Sequence, residues 1–120
     1  EIAGYRWVYL CAAYEGKQLV GYKLGRSSDP RTFESSLGGV RERVRRRGIA
    51  SELARHQEAW CRTHGFRFLA TEAHQDNKAM LILNLKLGFK IVGTTYCRRE
   101  HLKIQFEKAL FDDKGETDLK

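Results

Sequence analysis

No apolar run in this sequence approaches the ~20 residues needed to span a bilayer, so a membrane-crossing helix is not expected. The chain opens Glu1-Ile2-Ala3-Gly4, with neither a basic start nor a following apolar block, which argues against a secretory signal. It also opens without methionine, as a fragment or a processed form would. Cysteine is scarce: Cys11, Cys61 and Cys97 are odd in number, far apart and form no CxxC pair. A disulfide framework is therefore not expected, and free thiols in a reducing cytoplasm are. No nearby pattern of histidine and acid marks any of the three as a nucleophile. His56, His64, His74 and His101 are dispersed and share no metal-ligand spacing with a cysteine or carboxylate, so no metal is expected. Internal repeats and linkers are missing too. The chain reads as one domain over residues 1–120, with a core at about 5–110 and a charged, frayed tail at 111–120.

What is present suits a packed domain with an anionic partner. Hydrophobic residues make up 42% of the chain, enough for a core. Lys and Arg number 22 against 15 Asp and Glu, a net charge of +7. Such a balance suits nucleic acid, a membrane surface or a phosphorylated small molecule, and the position of the charge must decide among them.

Residues 7–14 and 18–24 read as a β-hairpin around a turn at 15–17. Ser27-Ser28-Asp29-Pro30 marks a loop across 25–31. Residues 32–40 form a weaker third strand. Its Gly38-Gly39 pair is costly in a strand interior and marks a bulge or a place where a ligand nears the backbone. From Gly48 the period becomes helical: Ile49, Leu53 and Trp60 share a face, Ala50, Ala54 and Cys61 lie beside it, and Gly65 ends the helix. A strand at 66–73 follows, then a helix at 77–87 with Met80, Leu83 and Leu87 on its buried stripe and Gly88 as its stop. Strands at 89–96 and 101–110 complete the order β-β-β-α-β-α-β-β. That order predicts an α/β fold with one mixed sheet and helices packed on it. Trp7 and Trp60 are expected to anchor the core.

The informative segment is 40–50, Val-Arg-Glu-Arg-Val-Arg-Arg-Arg-Gly-Ile-Ala, which joins a strand to a helix. The first N–H groups of a helix lack internal partners and favour negative charge. Small residues at Gly48 and Ala50 let a phosphate approach that backbone. Arg41, Arg43, Arg45, Arg46 and Arg47 add guanidinium groups that bind phosphate as a fork. These features alone leave three readings open: a solvated basic surface, a site for a nucleotide-like ligand, and a nucleic-acid contact. The last is weakened because no aromatic residues interleave with the arginines.

The same segment resembles the acetyl-coenzyme A signature of the GNAT superfamily of N-acetyltransferases. That signature is a strand ending in Val, then Arg or Gln, two residues, Gly, one residue, and Gly or Ala. Val40, Arg45, Gly48 and Ala50 match it. A second signature, an Asn, a helix and a terminal Gly-Phe, is matched by Asn77, Met80, Asn84 and Gly88-Phe89. The resemblance covers about 5–110 and lacks the family's usual first strand and two helices. It implies a mostly antiparallel sheet in which the strand ending at Val40 splays from the strand at 66–73, and an enzyme that uses acetyl-coenzyme A as co-substrate. In that arrangement Gly38 and Val40 would bond the pantetheine arm through their backbone. Arg45, Arg46, Arg47, Gly48, Ile49, Ala50 and Ser51 would hold the pyrophosphate.

The reaction implied is direct acetyl transfer to a primary amine of a small molecule or a protein. Some members use a Glu six residues before the Val as base, here Glu34; its other reading is an exposed strand residue. Many members place a Tyr four residues before the Gly of Gly-Phe as donor to the leaving sulfur. This chain has Asn84 there, which can hydrogen-bond the cofactor but cannot act as an acid, so solvent or another donor such as Tyr96 must serve. Asn77 is either the cap of its helix or a contact to the arm. A non-catalytic acyl-coenzyme A sensor and a nucleic-acid-binding module are the alternatives. The strand at 7–14 would lie at a bare sheet edge, which a second copy of the chain could cover.

Overall fold

A computed structural model describes residues 7–96, 98 and 101–111. Cys97 and, of the tail expected to fray at 111–120, residues 112–120 lie outside the described residues. The strands are β1 (Val8–Glu15), β2 (Gln18–Asp29), β3 (Thr32–Val40), β4 (Phe68–His74), β5 (Lys90–Tyr96) and β6 (Leu102–Ala109). The helices are α1 (Ile49–Thr63), between β3 and β4, and α2 (Lys78–Lys86), between β4 and β5. One six-stranded sheet results, in the order β1-β2-β3-β4-β6-β5. Only the β3–β4 contact is parallel. The expected α/β class, the element order and the single mixed, mostly antiparallel sheet are present.

One element departs from expectation. Residues 25–29, expected as loop, continue β2. Val8 pairs with Arg26, and Asp29 pairs with Thr32. Ser27 is buried and its hydroxyl accepts the Trp7 N–H at 3.0 Å. The cross-strand ladders on both sides outweigh the turn propensity of Ser-Ser-Asp, and the reversal shrinks to Pro30-Arg31, where Asp29 Oδ1 accepts from the N–H groups of Arg31 and Thr32 at 2.8 Å each.

Both helices pack on one face of the sheet. Leu53, Gln57 and Cys61, one turn apart along α1, are its buried residues. The core beneath holds Tyr9, Phe33, Phe66, Leu69, Phe89 and Phe106. Trp60 sits among Tyr9, Phe33 and Trp7 at ring-centroid distances of 5.0, 5.2 and 5.7 Å, so the tryptophans anchor the core as the sequence implied. At the far end, Glu58 of α1 meets Lys108 of β6 at 2.8 Å and Arg62 of its own helix at 2.8 Å. Burial alone would raise the Glu58 pKa, but those two hydrogen-bonded cations hold it below the usual carboxylate range. On the opposite face Val8, Leu10 and Leu37 are 68, 67 and 57% exposed.

Gly25 is packed tightly from two sides, by β3 and by Gln57 of α1, whose Nε2 would lie 3.0 Å from a Cβ there. A Cβ there would lie 2.4 Å from Phe33 Cε2 and 2.7 Å from the Glu34 carbonyl oxygen, and Phe33 is fully buried. Gly25→Ala is therefore expected to destabilise the fold by about 1–3 kcal/mol through overpacking. Urea denaturation checks this, with a lowered midpoint at unchanged slope as the expected result.

Candidate functional site

The β3–β4 ladder has only four rungs, from Thr32↔Phe68 to Ser35↔Thr71. The Thr71 hydroxyl donates to the Ser35 carbonyl at 3.2 Å and pins the last rung. Beyond it the strands part. Gly38, Gly39 and Val40 pair only with β2, and Glu72–His74 only with β6. The backbone of β3 past Ser35 thus faces a gap where a ladder would otherwise run, and polar backbone groups there require a partner. The gap opens into a cavity of about 550 Å³ roofed by α1 and α2.

The loop after β3 shapes one end of this cavity. Val44, in a short 3-10 turn (Glu42–Val44), is buried and moors the loop. Arg46 and Gly48 both have left-handed backbones, with φ of 70 and 82°. Gly48 caps α1, and the first bond into the helix runs from the Glu52 N–H to the Gly48 carbonyl at 3.0 Å. The N–H groups of Ile49, Ala50 and Ser51 precede that bond and are available to a ligand. A shallower concavity of about 180 Å³ lies here, lined by Val40, Arg45, Arg46, Gly48, Ile49, Ala50 and Ser51.

The five arginines of the loop part company. Arg45 and Arg46 line both cavities, and Arg45 Nε donates to the Val40 carbonyl at 3.1 Å. Arg41 donates to the Leu19 carbonyl. Arg43 and Arg47 reach back to Glu15 at 2.8 and 3.2 Å, holding its carboxyl below the usual range. Three of the five thus tie the loop to the β1–β2 hairpin, and Arg47 lies outside both cavities.

Of the other expected residues, Gly38, Val40, Ala50, Asn77 and Asn84 line the larger cavity. Asn77 is the cap of α2, its Oδ1 accepting from the Met80 N–H at 3.2 Å, while also facing the cavity. Glu34 does not line it. It alternates with the buried Phe33 and Ser35 and so projects from the opposite sheet face, half-buried, beside the vertex of the splay. Tyr96 is exposed on β5 and lies outside both cavities. Cys61 is buried beside Glu58, and burial first, then that carboxylate, push its thiol up to about 12, far from a nucleophile's value.

Sequence reasoning did not single out Gln57 or Lys23, both of which line the cavity. Gln57 is fully buried on α1, and both polar atoms of its side chain lack a hydrogen-bond partner among the described residues. Asn84 Nδ2 is likewise buried and unpartnered. Orphaned amides at a cavity wall fit a ligand that carries amide and carbonyl groups of its own. The signal for Gln57 was a polar residue in the Leu53–Cys61 stripe, one turn from each. Lys23, the second, sits on β2 with its side chain in the cavity, and burial lowers its pKa. Its strand alternation carried no sign that the facing residue would be glycine.

Comparison with known proteins agrees with this geometry. The sequence profile of the acetyltransferase (GNAT) family matches residues 2–89. No curated protein matches the chain by sequence. Among solved structures, the chain is similar to Ard1 from Thermoplasma volcanium, with 23% identity, a TM-score of 0.74, and 79% of this chain and 66% of that one covered. A GNAT-family protein from Desulfovibrio desulfuricans aligns at 17% identity with a TM-score of 0.81, over 87% and 69% of the two chains. A GNAT acetyltransferase from Elizabethkingia anophelis with acetyl-CoA bound aligns at 17% identity with a TM-score of 0.76, over 83% and 74%. The chain thus spans about two thirds to three quarters of these relatives. The profile match over most of its length, on a sheet that splays just before the family signature begins, places the chain in the GNAT family of acetyltransferases.

Proposed function

We propose that this protein transfers an acetyl group from acetyl-CoA to a primary amine. The observation that carries this reading is the cavity at the β3–β4 splay, which has Arg45, Arg46 and the open start of α1 at one end and unpartnered buried amides at its wall. The basic end fits a pyrophosphate, held by Arg45, Arg46 and the backbone from Gly48 to Ser51. Arg47, paired with Glu15, adds field rather than contact. The backbone of Gly38 and Val40 offers an extended arm the bonds that β4 no longer makes. Gln57, Asn77 and Asn84 offer amide partners. Bound acetyl-CoA supplies an acyl thioester open to attack by an amine. Glu34 projects from the opposite sheet face beside the vertex, so as base it would take the proton of the acceptor amine through water at the splay. Thiol release from acetyl-CoA over a panel of amines tests the activity, and binding without release under every acceptor identifies an acyl-CoA sensor instead.

Gly48→Glu places bulk and negative charge where the phosphates sit. Calorimetry should show acetyl-CoA affinity falling more than about tenfold, ~1.4 kcal/mol. Because Gly48 has φ of 82°, any side chain there also strains the fold, by about 1–2 kcal/mol. Gly48→Ala carries that strain without the charge and should keep more of the affinity. Arg45→Ala should weaken binding more than Arg43→Ala, whose guanidinium is committed to Glu15.

Glu34→Gln should lower kcat by about 10²–10⁴-fold, the range of a lost general base, with acetyl-CoA affinity unchanged. A mutant with the parent rate and pH profile would remove Glu34 from the reaction.

We further propose that β1 pairs with a second copy of the chain. Among the described residues β1 is bonded only to β2, and its exposed Val8, Leu10 and Tyr14 make a long apolar edge. Slow exchange of the outward amides of β1, together with a dimer mass in solution, is the expected result; fast exchange in a monomer contradicts it.

A further inference from the structure

Lys23 is a cation whose task the acetyl-CoA reading has not assigned. It stands on β2 opposite Gly38 of β3. Gly38 has no side chain, and the Lys23 stem runs beside the space this leaves. Its Cγ and Nζ lie 3.7 and 3.6 Å from the point that a Cβ on Gly38 would take. The amine therefore enters the cavity over the backbone of the splayed strand.

No hydrogen bond or ion pair joins Lys23 to another described residue. Tyr22, Arg45, Arg46 and Glu58 are the other ionisable residues at the cavity wall. Glu58 is the one carboxylate among them, and Lys108 and Arg62 already hold it at 2.8 Å each. An ammonium group in a half-buried, uncompensated position costs free energy, and burial lowers its pKa accordingly. A fold that retains such a group gains from it when an anion arrives there.

The direction of the site identifies that anion. With phosphates at Gly48–Ser51 and an arm bonded to Val40 and then Gly38, the acyl end would run away from the arginines and toward the Lys23 amine. Acyl transfer creates a thiolate at that end. Asn84, in the second family signature, has no acidic proton to give it.

We propose that the Lys23 ammonium is the counter-charge and proton donor for the thiolate that leaves, an assignment that rests on the acetyl-CoA reading. The acceptor nitrogen bonds to the acyl carbon and the carbon–sulfur bond breaks, its electron pair remaining on sulfur. Lys23 Nζ gives that sulfur a proton, producing the free thiol and a neutral lysine. The acceptor nitrogen loses one proton to Glu34 or water, and solvent returns one to Lys23, so the sum is amine plus thioester to amide plus thiol.

The test uses free coenzyme A on the full chain, with its thiolate followed by ultraviolet absorbance against pH and its affinity by calorimetry. The bound thiol should ionise about one pH unit or more below free coenzyme A in the parent protein. Lys23→Met should abolish that shift, change affinity by less than about tenfold and lower kcat about 10²–10⁴-fold. Lys23→Arg keeps the charge but cannot release a proton at these pH values. It should retain the thiol shift and still lose turnover, which separates the role from mere packing. Identical thiol titrations in parent and Lys23→Met, with coenzyme A bound to both, overturn the assignment and leave the acetyl-CoA reading standing. Failure of the parent to bind coenzyme A overturns both. An acetyl group found on Lys23 by peptide mass spectrometry makes it a nucleophile and also overturns the donor role.

Discussion

The parallel pairing of β3 with β4 stops after four rungs, and the rest of the site depends on that early stop. Parallel strands need a crossover, here α1, and the crossover must leave β3 at its C-terminal end. Because the ladder ends at Ser35, that C-terminal end runs free of β4 for the length of Ser36–Val40 before the chain turns into α1. The same strand therefore supplies open backbone, and the helix that follows it supplies open N–H groups, to one cavity. The Thr71 hydroxyl on the Ser35 carbonyl holds the vertex where the two strands part.

Rigidity around the gap comes from the aromatic core on one side and from the ion cluster on the other. Trp60 packs against Tyr9 and Phe33, which fixes α1 over β1 and β3. Glu58 bridges α1 to β6 through Lys108, and Arg62 donates to the Leu110 carbonyl, so the helix is tied across the splay to the far half of the sheet. A helix held at both flanks of a gap keeps the gap open without filling it. Gln57 lies between these two anchorages, and the wall it forms is polar where a merely structural helix would present leucine.

Charge in the loop is divided by the hairpin beside it. Glu15, at the end of β1, takes Arg43 and Arg47 out of the cavity and leaves Arg45 and Arg46 to face it. A run of five arginines thus performs two jobs, mooring the loop and charging the site. Gly38 makes a comparable division on β3. Its lack of a side chain leaves its backbone open to the gap, with the Lys23 stem of the neighbouring strand passing beside it.

Most of the fold was legible in the sequence because its signals are local. Alternation marked the strands. The apolar stripe and Gly65 marked α1, and the Arg45-x-x-Gly48-x-Ala50 spacing located the start of that helix and the residues around it. Gly48 was readable from that spacing, and the structure adds a left-handed backbone there that favours glycine. Everything that depends on a partner from another strand was decided only in the folded chain. Residues 25–29 look like a loop alone and become strand because β3 pairs along them and β1 pairs with Gly25 and Arg26. Arg47 reads as a phosphate ligand until Glu15, thirty-two positions away, claims it. Lys23 and Gln57 reach the cavity because of the register that sets Lys23 against Gly38 and the packing that turns α1. Neighbours across a sheet are set by pairing, and pairing is not written in the spacing of any one segment.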